Sequence, residues 1–214
     1  VAIDFARYVG AVTREVQDRE IEGKLARVVV ATRTYDTTIE DVWDALTNAE
    51  RLPRWFVPIT GDLKLGGRYQ LQGNAVGTIT TCEPPRHLAV TWEFGGGVSW
   101  VAVRLSPDPK GGTRLELEHA AHVEEHWKKY GPGAVGIGWD LGLLGLARHL
   151  ETGEAVTLEG GAWAESEDGK DFMRRSGEDW CRADIASGAE PRAAKAAAAQ
   201  TIAFYTGATP PAES

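Results

Sequence analysis

Cysteine is scarce in this chain of 214 residues. Cys82 and Cys181 are the only two, and neither sits in a CxxC spacing, so neither a disulfide framework nor a zinc knuckle is expected. Positive charge is also in short supply: 23 Lys and Arg stand against 31 Asp and Glu, a net charge of −8. That balance argues against nucleic acid as a partner, since phosphate binding rests on basic side chains, and against anchoring to an anionic membrane. Long apolar runs are missing as well. The most apolar stretch, Ala134 to Ala147, contains Asp140 and is too short to span a bilayer. Asp4 and Arg7 place charge where a signal peptide needs an unbroken apolar core, so the expected location is cytoplasmic. Linear catalytic motifs are absent too: no GxxxxGK[ST], HExxH or GxSxG occurs, and Gly133, Gly136 and Gly138 read GxxGxG, the reverse of the dinucleotide fingerprint. No cofactor and no catalytic residue is called for.

What the chain does have is 25 glycines and 8 tryptophans within a composition that is 43% hydrophobic, enough for a sizeable core. Alternation of apolar and polar residues dominates 8 to 119. Tyr8 to Glu20 and Leu25 to Tyr35 read as two extended runs around Glu22-Gly23-Lys24, a long hairpin. Thr37 or Thr38 can cap a helix, with Glu40 completing a capping box after Thr37 and Ile39, Val42, Trp43 and Leu46 forming its apolar face. Pro53 opens a short segment with Trp55 and Phe56. Strands then return: Gly61 to Leu71 as strand, Gly66-Gly67 turn and strand; Gly77 to Cys82; Leu88, Val90, Trp92 and Phe94 in one phase; Val101, Val103 and Leu105 in another. Last come Leu115, Leu117 and His119, opposite in phase to Arg114, Glu116 and Glu118. The pattern predicts an antiparallel meander with one wet face.

Past Pro132 the period becomes helical. Trp139, Leu143, Leu146 and Leu150 form one stripe of a long helix, and Gly138, Gly142 and Gly145 form a second. Each helical glycine costs roughly 1 kcal/mol relative to alanine, so the stripe implies either close approach of another backbone or room for a ligand. Residues 155–165 read as a Gly-containing linker. Ser166 caps a further helix with Phe172, Ser176, Trp180 and Ala183 on one face, and Pro191 starts an Ala-rich helix ending near Gly207. The final residues are expected to fray.

Several local patterns, in order along the chain, resemble the START-like (SRPBCC) superfamily, and within it the group named for the C-terminal domain of the activator of the 90-kDa heat-shock-protein ATPase. They are Val42-Trp43-Asp44-Ala45-Leu46-Thr47, Arg54-Trp55-Phe56, Gly61-Asp62-Leu63-Lys64-Leu65-Gly66-Gly67, Gly77 with Pro84-Pro85-Arg86-His87-Leu88-Ala89-Val90-Thr91-Trp92, Gly111-Gly112-Thr113-Arg114-Leu115-Glu116-Leu117-Glu118-His119, and Gly138-Trp139. Coverage runs from about Arg27 to Leu150. The resemblance implies an α+β helix-grip fold, a curved antiparallel β-sheet wrapped around a long helix. On that basis 1–152 would be the START-like domain and 153–214 a helical extension packing on the domain or a partner. It also implies a cavity more than a set of reactive residues.

The expected function is binding of a small hydrophobic or aromatic molecule between sheet and long helix, with Tyr69, Trp92, Trp100, His119, Trp139 and Gly142 as ligand-binding residues. Trp100 is out of phase with Val101, Val103 and Leu105, so either it or that trio points outward. His119 is a hydrogen-bonding group at the cavity, a general acid or base, or a core histidine satisfied by a carbonyl. On a continuous helix His119, His122 and His126 could hold a metal, an arrangement that the strand phase of His119 opposes while His122 and His126 could still pair at i, i+4. Asp140 could be a cavity acid, benefit from the helix N-terminus or face solvent. Arg68, Glu93 and Arg104 are expected at the surface. Two other classes stay open: an enzyme of the polyketide cyclase or aromatase type, and a stress-related co-chaperone. The extension could cap the cavity or form a homodimer interface.

Overall fold

The computed structural model describes residues 5–156, 158 and 161–209. The linker residues Glu159 and Gly160, and the fraying expected of the last few residues, lie outside them. The helices are α1 (Phe5–Gly10), α2 (Ile39–Thr47), α3 (Glu125–Tyr130), α4 (Gly133–Thr152), α5 (Ala162–Glu165), α6 (Glu167–Ala186) and α7 (Pro191–Thr206). The strands are β1 (Thr13–Ile21), β2 (Lys24–Tyr35), β3 (Ile59–Gly61), β4 (Arg68–Leu71), β5 (Val76–Glu83), β6 (His87–Phe94), β7 (Gly97–Pro107) and β8 (Thr113–His122). They form one sheet in the order β1-β2-β8-β7-β6-β5-β4-β3. The fold is α+β, of the helix-grip type with an antiparallel sheet and a long helix.

Two compact units share the chain: Val1–Ala31, His122–Gly142 and Leu158–Ser214 make one, and Thr32–Ala121 with Leu143–Thr157 make the other. We call them the helical unit and the sheet unit. In the sheet unit, β3 to β8 form the expected meander, with pairs such as Tyr69↔Gly77, Ile79↔Val90, Val90↔Val101 and Val103↔Leu117. Leu105, Leu115, Leu117, Val101 and Val103 are buried in one phase. Thr38 is the cap of α2, accepting from the Asp41 backbone N–H at 3.3 Å, and the Thr37 hydroxyl donates to Asp41 at 2.7 Å. The capping logic holds one residue later than the Thr37–Glu40 pairing. Trp55 is buried and donates its indole N–H to the Ala45 carbonyl at 2.9 Å, which ties the short turn Leu52–Arg54 to α2. The C-terminal part of α4 meets this unit through His149: Arg51 Nε donates to its Nε2 at 3.1 Å.

Two expected strands are shorter than their pattern. The first strand begins at Thr13, not Tyr8, because Phe5–Gly10 is helical and Arg14 gathers the carbonyls of Val9 and Val12 at the end of that helix. The strand through Gly61 stops there, since Gly61 turns the chain at φ 116°, Lys64 and Gly67 donate to the Asp62 and Lys64 carbonyls in tight turns, and Gly66 and Gly67 instead bond Ile79 of β5.

The helical unit contains α1, α3, α5, α6, α7 and the first half of α4. Ser166 caps α6 and accepts from the Gly169 N–H at 3.1 Å, while Gly207 closes α7 in the left-handed conformation at φ 68°. Phe172, Met173, Ser176 and Trp180 of α6 are all buried. Gly136 explains part of the glycine content of α4: a Cβ there would stand 2.4 Å from the Trp180 ring. At Gly138 the near neighbour is the Tyr205 hydroxyl, 3.2 Å from a Cβ, which donates to the Ala134 carbonyl at 3.0 Å. What approaches Gly138 is a side-chain hydroxyl and not the second backbone that one of the two reasons for the glycine stripe required.

Candidate ligand-binding face

Alternation along the strands decides which candidate residues meet. Trp92 on β6 lies opposite Ser99 on β7, and Val101, two residues on, lies opposite His119 on β8. Directly paired residues share a face, so Trp92, Ser99, Val101 and His119 all project to the side carrying Leu115 and Leu117. The Trp92 and His119 rings are 6.1 Å apart. Tyr69 joins them from β4. It lies opposite Gly77, where a Cβ would stand 2.9 Å from the tyrosine ring and 1.9 Å from the Thr91 carbonyl. The missing side chain lets the ring cross β5, and its hydroxyl donates to the Thr91 carbonyl on β6 at 2.7 Å.

His119 is buried, and its Nε2 is 2.8 Å from the Ser99 hydroxyl. That hydroxyl has one proton and donates it to the Trp92 carbonyl at 3.1 Å. Both contacts form together only when His119 is protonated on Nε2 and donates to Ser99. Burial lowers the histidine pKa to about 4, so the ring is neutral at pH 7. Tyr69 moves the other way: burial, helped by the nearby Glu93 charge, raises its phenol well above the ordinary value. The face therefore offers two aromatic rings and a neutral imidazole–hydroxyl pair, all uncharged. Ser99 was not among the candidates; its signal in the sequence was its phase, opposite Trp92 across the Gly95-Gly96-Gly97 turn.

Trp100 does not belong to this group. It pairs with Thr91 and Ala120 and projects to the opposite face from Trp92 and His119, while Val101, Val103 and Leu105 take the buried phase. Of the two alternatives for Trp100 and that trio, it is Trp100 that leaves the inner face. Trp139 and Gly142 lie on α4 within the helical unit, the first half-buried and the second buried. Arg68 and Glu93 are on the wet face, joined by a fork of 2.6 and 3.1 Å, and Arg104 pairs there with Glu118 at 3.4 Å.

The three histidines do not form a helical face. β8 continues through His122, whose Nε2 lies 3.0 Å from the Ile21 carbonyl, and His126 falls in α3 beside Tyr130. Among the described residues no three His, Cys, Asp or Glu side chains gather as metal ligands. Beside them, the Arg27 guanidinium lies over the Trp127 ring, 5.7 Å from its centre.

Asp140 corrects an expectation. It neither faces solvent nor joins the inner face of the sheet unit; it is buried in the helical unit, where its Oδ2 accepts from Arg14 at 2.9 Å, Ser176 at 2.5 Å and Trp180 at 3.1 Å. Burial raises its pKa against the pull of those three donors. Its role there is to tie β1 and α6 to α4.

The meander, the capped α2 and the α4 helix define the class of the protein: START-like, of the SRPBCC superfamily. The chain belongs to the family of Activator of Hsp90 ATPase homolog 1-like proteins, whose model matches residues 36–151. Among solved structures it is similar to CalU16 from Micromonospora echinospora. The crystal structure of CalU16 is 34% identical over 81% of this chain and 98% of that one, with a TM-score of 0.65. The solution structure gives 35% identity, 83% and 97% coverage and a TM-score of 0.66. DynU16, a protein of the dynemicin biosynthetic locus, shares the fold at 21% identity, covering 66% of this chain and 58% of its own, with a TM-score of 0.52. No curated protein matches the chain.

Proposed function

We propose that the protein binds a small hydrophobic or aromatic molecule against the inner face of β4 to β8. One observation carries this reading: Tyr69, Trp92 and the Ser99–His119 pair share a face on which every titratable group among them is neutral near pH 7. Apolar and aromatic area supplies affinity, and a fixed neutral imidazole supplies orientation without the desolvation cost of a charge. Titration of the chain with planar aromatic probes, followed by tryptophan fluorescence and melting temperature, tests it. Saturable quenching and an upward melting shift are expected, both weakened at least tenfold in Trp92→Ala. Quenching that W92A leaves untouched would remove this face from the account.

A cyclase-type enzyme is the second reading, favoured by the presence of two titratable groups, His119 and Tyr69, on one face. Against it, the tyrosine hydroxyl is engaged by Thr91 and the histidine Nε2 by Ser99, an arrangement suited to orienting a ligand more than to moving protons. Faster cyclisation of a linear poly-β-ketone thioester by the protein than by His119→Ala would make the enzyme reading the better one. The co-chaperone reading is tested by pull-down with the 90-kDa chaperone and its ATPase rate. A homodimer through the extension, the alternative to its capping the cavity, is tested by mass measurement in solution.

A further inference from the structure

The sheet ends differently on its two sides. At one end β3 is three residues long and stops at Gly61. At the other, β1 runs for nine residues, and among the described residues β2 is its one strand neighbour. A very short edge strand protects a sheet from pairing with another chain, whereas a long one presents a row of N–H and C=O groups as a template. β1 contains neither proline nor glycine, so nothing in its sequence interrupts that row.

One face of β1 is fastened to the helices of its unit. Arg14 holds Asp140 of α4 and Asp179 of α6, and Asp18 meets Arg27 of β2, which also holds Asp184 of α6. Val16, between them in the same phase, is buried. The other phase, Thr13, Glu15, Gln17 and Arg19, is exposed throughout, and the Gln17 amide donates to the Glu15 carboxylate at 3.3 Å. The strand is held from one side and open on the other.

The open phase is self-complementary. Two copies of β1 running antiparallel about a two-fold axis at Gln17 pair along the whole strand, and directly opposed residues share a face. Glu15 of each copy then stands opposite Arg19 of the other, on either side of a central Gln17–Gln17 pair. Centring the pair on Glu15, Asp18 or Arg19 instead sets like charges opposite one another, which is destabilising. Centring it on Val16 leaves Glu20 and Ile21 unopposed. A guanidinium carries five N–H donors, so Arg19 can meet Glu15 of a second copy while keeping the contacts it makes in its own chain.

We propose that the β1 edge is a homodimer interface, in which Thr13–Ile21 of two chains pair antiparallel about Gln17 and continue the eight-stranded sheet from one copy into the next. The partner is a second copy because the strand, read backwards, answers its own charges. A single added strand pair is a small interface, so the dimer is concentration-dependent, with a Kd of roughly 1–100 µM. It is separate from any contact through 153–214.

Sedimentation velocity of the full chain, from about 5 to 500 µM, reads the association. The unaltered chain should pass from monomer to dimer across that range, and rising salt should shift it back towards monomer. Glu15→Arg and Arg19→Glu, both at exposed positions, should each weaken dimerisation roughly tenfold, because each sets like charges opposite one another twice. Mixed in equal amounts, E15R and R19E should form a heterodimer, since the opposed pairs are again unlike. The double variant E15R/R19E should dimerise about as the unaltered chain does. Circular-dichroism melting of each variant separates loss of fold from loss of pairing; if one single variant fails to fold, the other and the double variant carry the comparison. A chain that stays monomeric at the highest concentration overturns the proposal. So does a dimer whose Kd neither single substitution changes, which would place the interface elsewhere. Failure of the mixture to associate, or of the double variant to recover, overturns the Gln17-centred pairing.

Discussion

His119 shows how one buried side chain can be both a recognition group and a source of pH sensitivity. Its folded pKa of about 4 lies below the ordinary 6.5, and the cause is burial. The unfolded chain therefore binds a proton between these values that the folded chain refuses. Stability is complete above about pH 6.5 and falls as the pH drops towards 4, by roughly 3 kcal/mol in all at about 1.4 kcal/mol per pH unit. In His119→Gln, which can still donate to Ser99, urea midpoints measured from pH 7 to 4 should fall less steeply by that amount. Parallel profiles for the two proteins would mean that His119 is not buried neutral. The sequence placed His119 in an inward strand phase but left three roles open, because burial and the Ser99 partner arise only when β7 and β8 pair. Trp100 was ambiguous for the complementary reason. Its own phase, Val98, Trp100 and Ala102, is as apolar as that of Val101, Val103 and Leu105, so alternation fixed two faces without saying which was buried.

At the scale of elements, patterning was most legible where turn chemistry and alternation agreed. β5 to β8 fall where Pro84-Pro85, Gly95-Gly96-Gly97 and Gly111-Gly112 divide the chain. It was least legible where a long-range contact decides, as at α1, whose final carbonyls are held by Arg14. The glycines of α4 are a second such case, since spacing alone cannot tell a close approach from a space left for ligand. Gly136 and Gly138 now predict different outcomes. In Gly136→Ala the new methyl meets the buried Trp180 ring, which is rigid and fully enclosed. Overpacking of about 1–3 kcal/mol should outweigh the helix-propensity gain of up to about 1 kcal/mol. In Gly138→Ala only the Tyr205 hydroxyl must give, by a few tenths of an ångström, so the change in stability should be near zero or favourable. Chemical denaturation of the two variants measures this directly, and equal losses at both would refute the assignment of Gly136 to Trp180. On the sheet, Gly77→Ala should lose stability for a related reason, because its methyl would collide with the Thr91 carbonyl.

At the scale of the molecule, the family and the α+β class were legible from motifs between Val42 and Trp139, within the 36–151 that the family model matches, where strand, turn and cap signals reinforce one another. The division into two units was not, because each is assembled from segments far apart in sequence. The helical unit takes its core from both ends of the chain: Arg14 and Asp140 are held by Ser176, Asp179 and Trp180 of α6. A chain ending after Thr152 would leave Arg14 and Asp140 without those partners and remove Phe172, Met173 and Trp180 from the core. Leaving buried charges undersatisfied costs about 3–5 kcal/mol, and the lost apolar burial adds to it. The truncated chain should therefore aggregate or melt far below the full-length protein in calorimetry. Cooperative melting within a few degrees of the full chain would instead make 153–214 a dispensable appendage.

The central claim is that a small aromatic molecule sits on the inner face beside Trp92 and His119. Isotope-filtered NMR of the labelled chain with unlabelled 2-naphthoate tests this most directly, by reading which protein protons lie within about 5 Å of the bound ring. The account predicts intermolecular contacts to the Trp92 and His119 ring protons, together with Tyr69. A bound probe whose contacts fall only on other residues, or a chain that shows no contact at saturating probe, would contradict it.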